Sequence, residues 1–374
     1  MAIYSKKYLT DVLKRDSNNF DILRLLAAIS VIIGHAYAIN PQPPLEDGVL
    51  NIIHFDFSGA VAVKFFFFLS GLLVTNSIIS NPNIIQFLIK RVFRIFPGLL
   101  VCLLIAVFIV GPIYTELPLS DYFSSAGTWE YLQRNFFLKD MRFRLTGVFT
   151  KSPWGLNGAL WTLLYEVMYY MYLAFFSLIG LLKNKFIANL FCIIIIAGSI
   201  IVHIYSITIF SHNTDAYLLP ASFAIGSLSA INKDFIRIQI YPFILLWIVA
   251  FILRNTTAYQ YFFYLALFYS AMYISSLNFV ITRLKIPFDA SYGIYIYGFM
   301  IQQCVHATLP TIGVHGNQIV SISIASILGI LLWYFVEKPF IKLGQRLINL
   351  DILSSKTVYF LKDKKWRSKE YHSQ

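Results

Sequence analysis

Ten apolar stretches of roughly membrane-spanning length run through this chain of 374 residues. A helix needs about 20 apolar residues to cross the hydrocarbon core of a bilayer, and its backbone polar groups have to be hydrogen-bonded within the segment. The sequence therefore predicts an all-α polytopic membrane protein with about ten transmembrane helices. The predicted spans are residues 22–40, 58–79, 96–115, 158–182, 186–210, 216–231, 238–254, 259–281, 290–311 and 317–337.

Composition agrees with a membrane protein and argues against a soluble domain or a nucleic-acid-binding protein. The chain is 58% hydrophobic and only 13% charged, which is too apolar for an ordinary soluble domain. Its net charge of +12 does not indicate a nucleic-acid partner, because the Lys and Arg residues lie beside the spans in alternate connections. The positive-inside rule then predicts that both termini are cytoplasmic.

Three regions follow from this topology. They are a cytoplasmic segment at 1–21, a transmembrane domain at 22–346 and a basic cytoplasmic tail at 347–374. No cleavable signal peptide is visible in the polar N-terminal segment. All three cysteines fall inside predicted spans, so neither a disulfide framework nor a metal site is expected.

One connection disagrees with the charge rule. Residues 116–157 are expected by parity to form an extracytoplasmic loop, yet they contain five Lys or Arg residues. Part of this connection, YLQRNFFLKDMRFRL, mixes aromatic and basic residues as an interfacial segment does. The connection is therefore predicted to form either a helix lying on the membrane surface or a basic rim that attracts an anionic substrate.

Arg24 and His35 place two ionisable side chains in the first predicted span. Each such residue costs roughly 2.5–3.5 kcal/mol at the centre of a membrane helix, so it requires a partner or a function. A separation of eleven residues is three helical turns plus about 20°, which puts both side chains on one face, about 16 Å apart along the axis. With the N-terminus inside, Arg24 lies near the cytoplasm and His35 lies towards the outer half.

Arg91 and Arg94 lie three residues apart, on one helix face, shortly before Pro97. Arginines at this position are commonly cytoplasmic anchors of the topology. Guanidinium groups paired on one face also suit the phosphates of a nucleotide-bearing donor in the cytoplasm. The sequence alone leaves both interpretations open.

Glu166 lies about nine residues inside the fourth predicted span. A carboxylate at this depth requires a cation, a bound proton or a water-filled cavity. Thr162 lies one helical turn before Glu166 and faces the same way, and Asn157 and Trp161 are spaced likewise. A neutral, structural Glu166 bonded to a neighbouring helix is the alternative.

Taken in order, these stretches resemble the acyltransferase-3 family of bacterial membrane O-acyltransferases. The likeness begins with an arginine, ten residues and a histidine, and continues with an aromatic stretch that closes on Ser-Gly. It extends to a basic cluster before a proline, an Asn-Gly-x-Leu-Trp-Thr-Leu motif with a following glutamate, a Ser-Tyr pair and a terminal Glu-Lys-Pro. The matching positions are Arg24 and His35, Phe66 to Gly71, Lys90 with Arg91, Arg94 and Pro97, Asn157 to Glu166, Ser291 with Tyr292, and Glu337 to Pro339.

The resemblance implies transfer of an acyl group, most often acetyl from acetyl-CoA. The implied acceptor is a hydroxyl of a surface carbohydrate such as O-antigen, capsule or exopolysaccharide, and the implied location is the bacterial cytoplasmic (inner) membrane. Some relatives carry a fused, extracytoplasmic esterase-like domain. No such domain is expected after the tenth span here, so either the membrane domain performs the whole reaction, which is preferred, or a separate partner protein performs part of it.

The resemblance also assigns expected roles. His35 is expected to act as the general base for the acceptor hydroxyl or as a transient acyl carrier, and Glu166 is expected to orient or stabilise its imidazole. Four basic residues are expected to hold the phosphates of CoA: Arg24, Lys90, Arg91 and Arg94. Five further residues are expected to bind substrate or support the site: Ser70, Gly71, Asn157, Trp161 and Thr162. For Ser70 and Gly71, close helix packing is an equally good explanation, and the Ser70 hydroxyl is an alternative acyl carrier.

Two other classes of function fit a bundle with buried charges. A proton-coupled secondary transporter would use His35 and Glu166 as a proton relay, but it predicts an internal repeat and broken helices that the sequence does not clearly contain. A scaffold protein of a polysaccharide assembly complex would leave the ordered polar residues without a purpose. An acyltransferase is therefore the preferred prediction.

Overall fold

The computed structural model describes residues 7–207 and 214–350, and these residues form a bundle of α-helices. Six of its helices are long and apolar enough to cross a membrane, which agrees with a multi-pass membrane protein. They are Phe20–Ile39, Ser58–Ser80, Ile84–Tyr114, Gly158–Leu178, Lys185–Ile204 and Gly313–Leu350. The other four predicted spans correspond to helices of 13 to 18 residues. The count of ten spans and the side of the termini stay predictions.

In chain order the α-helices are α1 Leu9–Val12, α2 Phe20–Ile39, α3 Gly48–Ile53, α4 Ser58–Ser80, α5 Ile84–Ile105, α6 Gly111–Tyr114, α7 Leu119–Ser124, α8 Ala126–Phe136, α9 Trp161–Leu178, α10 Lys185–Ile204, α11 Leu219–Ile231, α12 Ile240–Ile252, α13 Tyr259–Ser275, α14 Asn278–Arg283, α15 Ser291–Thr308 and α16 Gly313–Leu332. Short 3₁₀ turns occupy Gly158–Leu160, Leu181–Lys183 and Thr214–Ala216, and π-helical turns occupy Ala106–Val110 and Trp333–Glu337.

Within the described ranges, the named strands are β1 (Lys7–Tyr8) and β2 (Arg237–Ile238). They pair antiparallel, with Lys7 opposite Ile238 and Tyr8 opposite Arg237. This pairing fastens the start of the described chain to the connection between α11 and α12. The predicted fifth span and the basic tail extend into residues 208–210 and 351–374, which lie outside the described residues.

The third predicted span begins earlier than the sequence indicated. The prediction placed its start at residue 96, but the helix begins at Ile84 and runs without a break to Tyr114 through a π-helical turn. The side chain of Asn83 starts it by accepting a hydrogen bond from the backbone of Gln86 at 3.0 Å. Pro97 removes only one donor and lies inside the helix rather than near its start. The basic cluster is therefore part of this helix.

The connection at 116–157 contains two helices, α7 and α8, and packs against the end of the third span. Tyr122 donates a hydrogen bond to the carbonyl of Val107, inside the π-helical turn, at 2.8 Å. Gly111 leaves room for this ring, because a Cβ there would collide with the Tyr122 hydroxyl. The side chain of Asn135 holds the following turn by bonding the backbone N–H and carbonyl of Arg142.

Glycines set the closest helix contacts in the bundle. A Cβ at Gly71 would collide with the carbonyl oxygen of Phe223, and one at Gly226 would collide with that of Phe68, so α4 and α11 cross almost backbone to backbone. Gly293 and Gly329 meet in the same way where α15 crosses α16. Side chains of α2, α4, α5, α9 and α15 line one cavity in this bundle.

Candidate active site

Six of the residues that were expected to form the site line one cavity between α2, α4, α5, α9 and α15. On α2 the cavity is lined by Arg24, near the N-terminal end of the helix, and not by His35. Tyr170, Tyr292 and Tyr295 contribute aromatic walls. The six predicted residues are Arg24, Ser70, Arg91, Arg94, Thr162 and Glu166.

Arg94 is bound by two carboxylates. Its guanidinium lies 2.6 Å from Asp289 and 2.5 Å from Glu337, and the side chain of Glu337 is fully buried. The rings of Tyr292 and Trp333 flank the same guanidinium at 5.9 and 5.7 Å from its central carbon. Arg94 therefore ties α5 to the start of α15 and to the π-helical turn after α16, and its charge is already compensated.

Arg24 is paired more loosely. One guanidinium nitrogen lies 3.3 Å from Asp21 on its own helix and 4.0 Å from Asp289. Asp289 lies in the connection before α15. Burial raises the pKa of the Asp289 carboxyl, but the charges of Arg94 and Arg24 outweigh burial and hold that pKa below its usual range. Asp289 is thus an anion shared between two arginines.

Arg91 differs from both. Among the residues that the structure describes, no carboxylate lies within ion-pair distance of its guanidinium, and its buried Nε has no hydrogen-bond partner. The guanidinium instead lies over the rings of Phe87 and Tyr170, at 5.7 Å from each centroid. Arg91 is the cation in the cavity that is best placed to accept an anionic group.

Lys90 does not line the cavity. It precedes Arg91 on α5, so its side chain leaves the helix about 100° away from the Arg91 direction. The predicted basic cluster is therefore divided by the structure. Arg91 and Arg94 face the cavity, and Lys90 faces elsewhere.

A chain of hydrogen bonds joins α4 to α9 across the cavity. The Ser70 hydroxyl donates to the Tyr170 hydroxyl at 3.0 Å, and the Tyr170 hydroxyl donates to the Glu166 carboxylate. Sequence reasoning noted Ser70 and Glu166 but missed Tyr170. The available signal was its spacing, because Tyr170 lies one helical turn after Glu166 and two after Thr162.

The other predicted site residues on or next to α4 and α9 do not line the cavity. Gly71 is the contact point with α11 described above and does not line the cavity. The buried Asn157 side chain donates to the carbonyl of Ile296 at 2.8 Å. Asn157 and Trp161 were expected to share a face of the helix, but a 3₁₀ turn at Gly158–Leu160 separates them, so that α-helical spacing does not apply. The Trp161 ring packs on Tyr165.

His35 lies on α2, as predicted, but outside the cavity. Its ring is held between two phenylalanine rings, with centroids 5.6 Å from Phe57 and 5.1 Å from Phe299. Neither nitrogen makes a hydrogen bond with any residue in the described ranges. The expected pairing with Glu166 is therefore absent here, because Glu166 is turned into the cavity and bound to Tyr170.

Thr162, Tyr295 and Phe66, which line the cavity, form a contact layer with one another. The Thr162 and Tyr295 hydroxyls share a hydrogen bond at 2.5 Å, and Tyr295 also donates to the carbonyl of Ala159 at 3.0 Å. The ring of Phe66 packs edge-on against Tyr295, with centroids 5.8 Å apart. Phe299, one turn beyond Tyr295 on α15, contacts His35. Helix α15 thus carries Tyr295, which lines the cavity, and one turn later Phe299, which contacts the imidazole.

Comparisons with known proteins bear on this arrangement. A sequence model of a family described as an acyltransferase domain matches residues 17–338. An O-acetyl transferase of Shigella phage Sf6 is 27% identical over 343 residues, which cover 90% of this chain and 99% of that protein. Nodulation protein 10 of Rhizobium leguminosarum bv. viciae is 31% identical over 165 residues, which cover 41% of this chain and 42% of that protein. No solved structure matches the chain.

Proposed function

Because the chain belongs to the acyltransferase-3 family, we propose that it transfers an acetyl group from acetyl-CoA to a hydroxyl of a cell-surface carbohydrate. The name of the phage relative, O-acetyl transferase, supports both the acetyl group and an oxygen acceptor. The proposed acceptors are O-antigen, capsule or exopolysaccharide. The proposed location is the bacterial inner membrane, with both termini in the cytoplasm.

The observation that carries this proposal is the state of the arginines in the cavity. Arg91 has no carboxylate partner in the described residues, and Arg24 is held only by longer contacts. Phosphate groups bind guanidinium groups strongly because both ends of the interaction are charged. We assign the phosphates of CoA to Arg91 and Arg24, and we assign Arg94 to holding the cavity together.

The position of the cavity agrees with a cytoplasmic donor. It lies around Arg24, near the N-terminal end of α2, which the positive-inside rule places on the cytoplasmic side. His35 lies about 16 Å further along the same helix, a distance that an extended pantetheine arm can span. The donor would therefore bind at one end of α2 and present its acetyl group at the other.

His35 is the proposed general base. The acceptor oxygen would form a bond with the acetyl carbon while the carbon–sulfur bond of the thioester breaks. The proton of the acceptor hydroxyl would pass to a nitrogen of His35 and then to the departing CoA thiolate. An imidazole nitrogen without a hydrogen-bond partner among the described residues is available for this transfer.

The transporter alternative loses its main support. A proton relay requires His35 and Glu166 to be linked through hydrogen-bonding groups. Glu166 is bonded to Tyr170 and lines the cavity, whereas His35 is packed between aromatic rings and does not line it. No specific observation favours transport over acyl transfer.

The test is mass spectrometry of the purified surface polysaccharide from host cells. Three strains are compared: one lacking the gene, one carrying it and one carrying the His35→Ala version. We expect a gain of acetyl mass that mild alkali removes, only with the intact protein. An unchanged polysaccharide in the strain with the intact protein would contradict the proposed acceptor, and full acetylation by His35→Ala would remove His35 from the mechanism.

A further inference from the structure

We propose that Phe57 is a positioning residue for His35, and that two buried carboxylates, Asp47 and Asp56, fix Phe57 from its two sides. The inference rests on the proposed function of His35 as the base. Phe57 lies between α3 and α4, immediately before Ser58, and was not singled out in the sequence.

The Phe57 ring fits into a slot made by two glycines. A Cβ at Gly34, on the helix that carries His35, would lie 2.6 Å from a carbon of the Phe57 ring. At Gly59, the three atoms nearest to a Cβ all belong to the Phe57 ring, and the closest would collide with it. The ring therefore lies directly on the backbones of α2 and α4, a position that any larger residue at these two sites would obstruct.

Aromatic contacts determine how the imidazole is oriented. The Phe57 and Phe299 rings contact the imidazole with interplanar angles of 56° and 75°. A catalytic histidine usually has a carboxylate or carbonyl that fixes its orientation through a hydrogen bond. In the described part of the chain His35 has no such partner, so contacts with these two rings fix the orientation of the imidazole.

Asp56, the residue before Phe57, is itself held in place. Its carboxylate lies 3.0 Å from the Lys64 ammonium group, and their side chains are only 9% and 4% exposed. The same carboxylate accepts hydrogen bonds from Tyr264 at 2.5 Å and from Gln260 at 3.3 Å. A buried ion pair is retained only with good geometry and further hydrogen bonds, both of which are present here.

Asp47 fixes the residue after Phe57. Its carboxylate accepts hydrogen bonds from the Ser58 backbone N–H at 3.1 Å and from the Ser58 hydroxyl at 2.6 Å. It also caps α3 by accepting from the backbone N–H groups of Val49 and Leu50. The Ser58 hydroxyl lies 3.1 Å from the Ser30 carbonyl on α2. A buried carboxylate thus anchors the chain on each side of Phe57.

This arrangement predicts a particular kinetic effect. A displaced Phe57 ring would let the imidazole rotate away from the acceptor hydroxyl, and small displacements of a catalytic group cost much of the rate. The donor phosphates bind at the other end of α2, about 16 Å away. Changes at Phe57 should therefore lower kcat and leave KM for acetyl-CoA unchanged.

The experiment compares two glycine substitutions in purified, reconstituted protein. In Gly59→Ala the new methyl group displaces the Phe57 ring, whereas in Gly48→Ala the methyl group enters open space. We expect kcat to fall about tenfold or more in Gly59→Ala, with KM for acetyl-CoA unchanged, and to keep its wild-type value in Gly48→Ala. Wild-type kcat in Gly59→Ala, or an equal loss of donor binding, would overturn the proposal.

A second pair of variants tests the positioning role of Phe57 if Gly59→Ala does not fold. Phe57→Leu removes the ring and should lower kcat on its own. Adding Gly59→Ala to Phe57→Leu should lower kcat little further, because there is no longer a ring for the new methyl group to displace. Additive losses would overturn the proposal. The His35→Ala variant distinguishes failure of the proposed role of His35 from failure of the positioning role of Phe57. If it remains active, the proposed role of His35 fails; if it is inactive while Phe57→Leu has wild-type kcat, only the positioning role fails.

Discussion

Arg94 and Glu337 are 243 residues apart in the chain and form an ion pair at 2.5 Å, with the Glu337 side chain fully buried. This pair joins the membrane helix Ile84–Tyr114 to the helix Gly313–Leu350. Both residues belong to motifs that carried the resemblance to the family, and one of them was expected to bind the donor. The structure places them in an ion pair at the cavity that joins two helices, and the expected donor-binding role of Arg94 stays a prediction.

Arg94→Gln should therefore act chiefly on stability. Removing the guanidinium leaves Glu337 buried without its cation, which costs about 3–5 kcal/mol in comparable pairs. We expect a clear drop in the thermal unfolding temperature of the detergent-purified protein. The double variant Arg94→Gln/Glu337→Gln should recover part of this loss, and a wild-type unfolding temperature in the single variant would contradict the structural role.

Arg91→Gln should act on donor affinity instead. A charge-assisted hydrogen bond contributes about 1.5–3 kcal/mol, so we expect the Kd for CoA to rise roughly tenfold or more. Pantetheine, which lacks the nucleotide phosphates, is the control ligand and should bind both proteins equally. Lys90→Gln is the matched control variant, because Lys90 does not line the cavity. An unchanged Kd for CoA in Arg91→Gln would return Arg91 to the role of a topology anchor.

The ring and the hydroxyl of Tyr170 should have separable effects. The ring lies under the Arg91 guanidinium, and the hydroxyl links Ser70 to Glu166. Tyr170→Phe keeps the ring, so KM for acetyl-CoA should be near wild type. Tyr170→Leu removes the cation–π contact, about 0.5–2 kcal/mol, and should raise that KM by about twofold or more. Equal KM values for the two variants would show that the ring does not place Arg91.

Breaking the Thr162–Tyr295 contact layer should uncouple the reaction. Tyr295→Phe removes the hydrogen bonds from Tyr295 to Thr162 and Ala159 but keeps the ring against Phe66. The loosened layer should let the donor arm and water meet near His35 without an acceptor. We expect CoA thiol release in the absence of carbohydrate to rise severalfold. A rate equal to that of the wild type would show that this layer does not limit access.

Gly71→Ala should destabilise the bundle without changing the site chemistry. Its Cβ would collide with the Phe223 carbonyl, and backbone at a helix crossing cannot move as a flexible side chain can. We expect a loss of about 1–3 kcal/mol, measured as a lower unfolding temperature, with KM for acetyl-CoA unchanged in the folded fraction. Gly198→Ala is the control, because a methyl group there meets nothing within 4 Å. Equal stability of the two variants would contradict this assignment.

Much of this architecture was predictable from the apolar stretches alone. The six long helices overlap predicted spans, and four residues noted in the sequence, Arg24, Ser70, Arg91 and Glu166, line one cavity. The start of the third span was wrong because hydropathy stops at a basic cluster, whereas backbone hydrogen bonding continues through it. A helix-capping residue such as Asn83 indicates the start of the helix more reliably than hydropathy does.

The partners of each charged residue were not predictable. Spacing places Glu166 at membrane depth, but it does not reveal that Tyr170 rather than His35 is its partner. It also treats Arg91 and Arg94 alike, although only Arg94 meets Asp289 and Glu337. Such pairings depend on contacts between helices far apart in the chain, and hydrophobic periodicity contains no information about them.

The length of the unbroken helix Ile84–Tyr114 bears on the depth of the proposed donor site. Its 31 residues span about 46 Å, whereas the hydrocarbon core is only about 30 Å thick. If its C-terminal end lies at the outer interface, the first ten residues or so project to the level of the inner headgroups. Arg91 and Arg94 would then border water and lipid phosphates rather than acyl chains, and a water-soluble donor could reach them without entering the hydrocarbon.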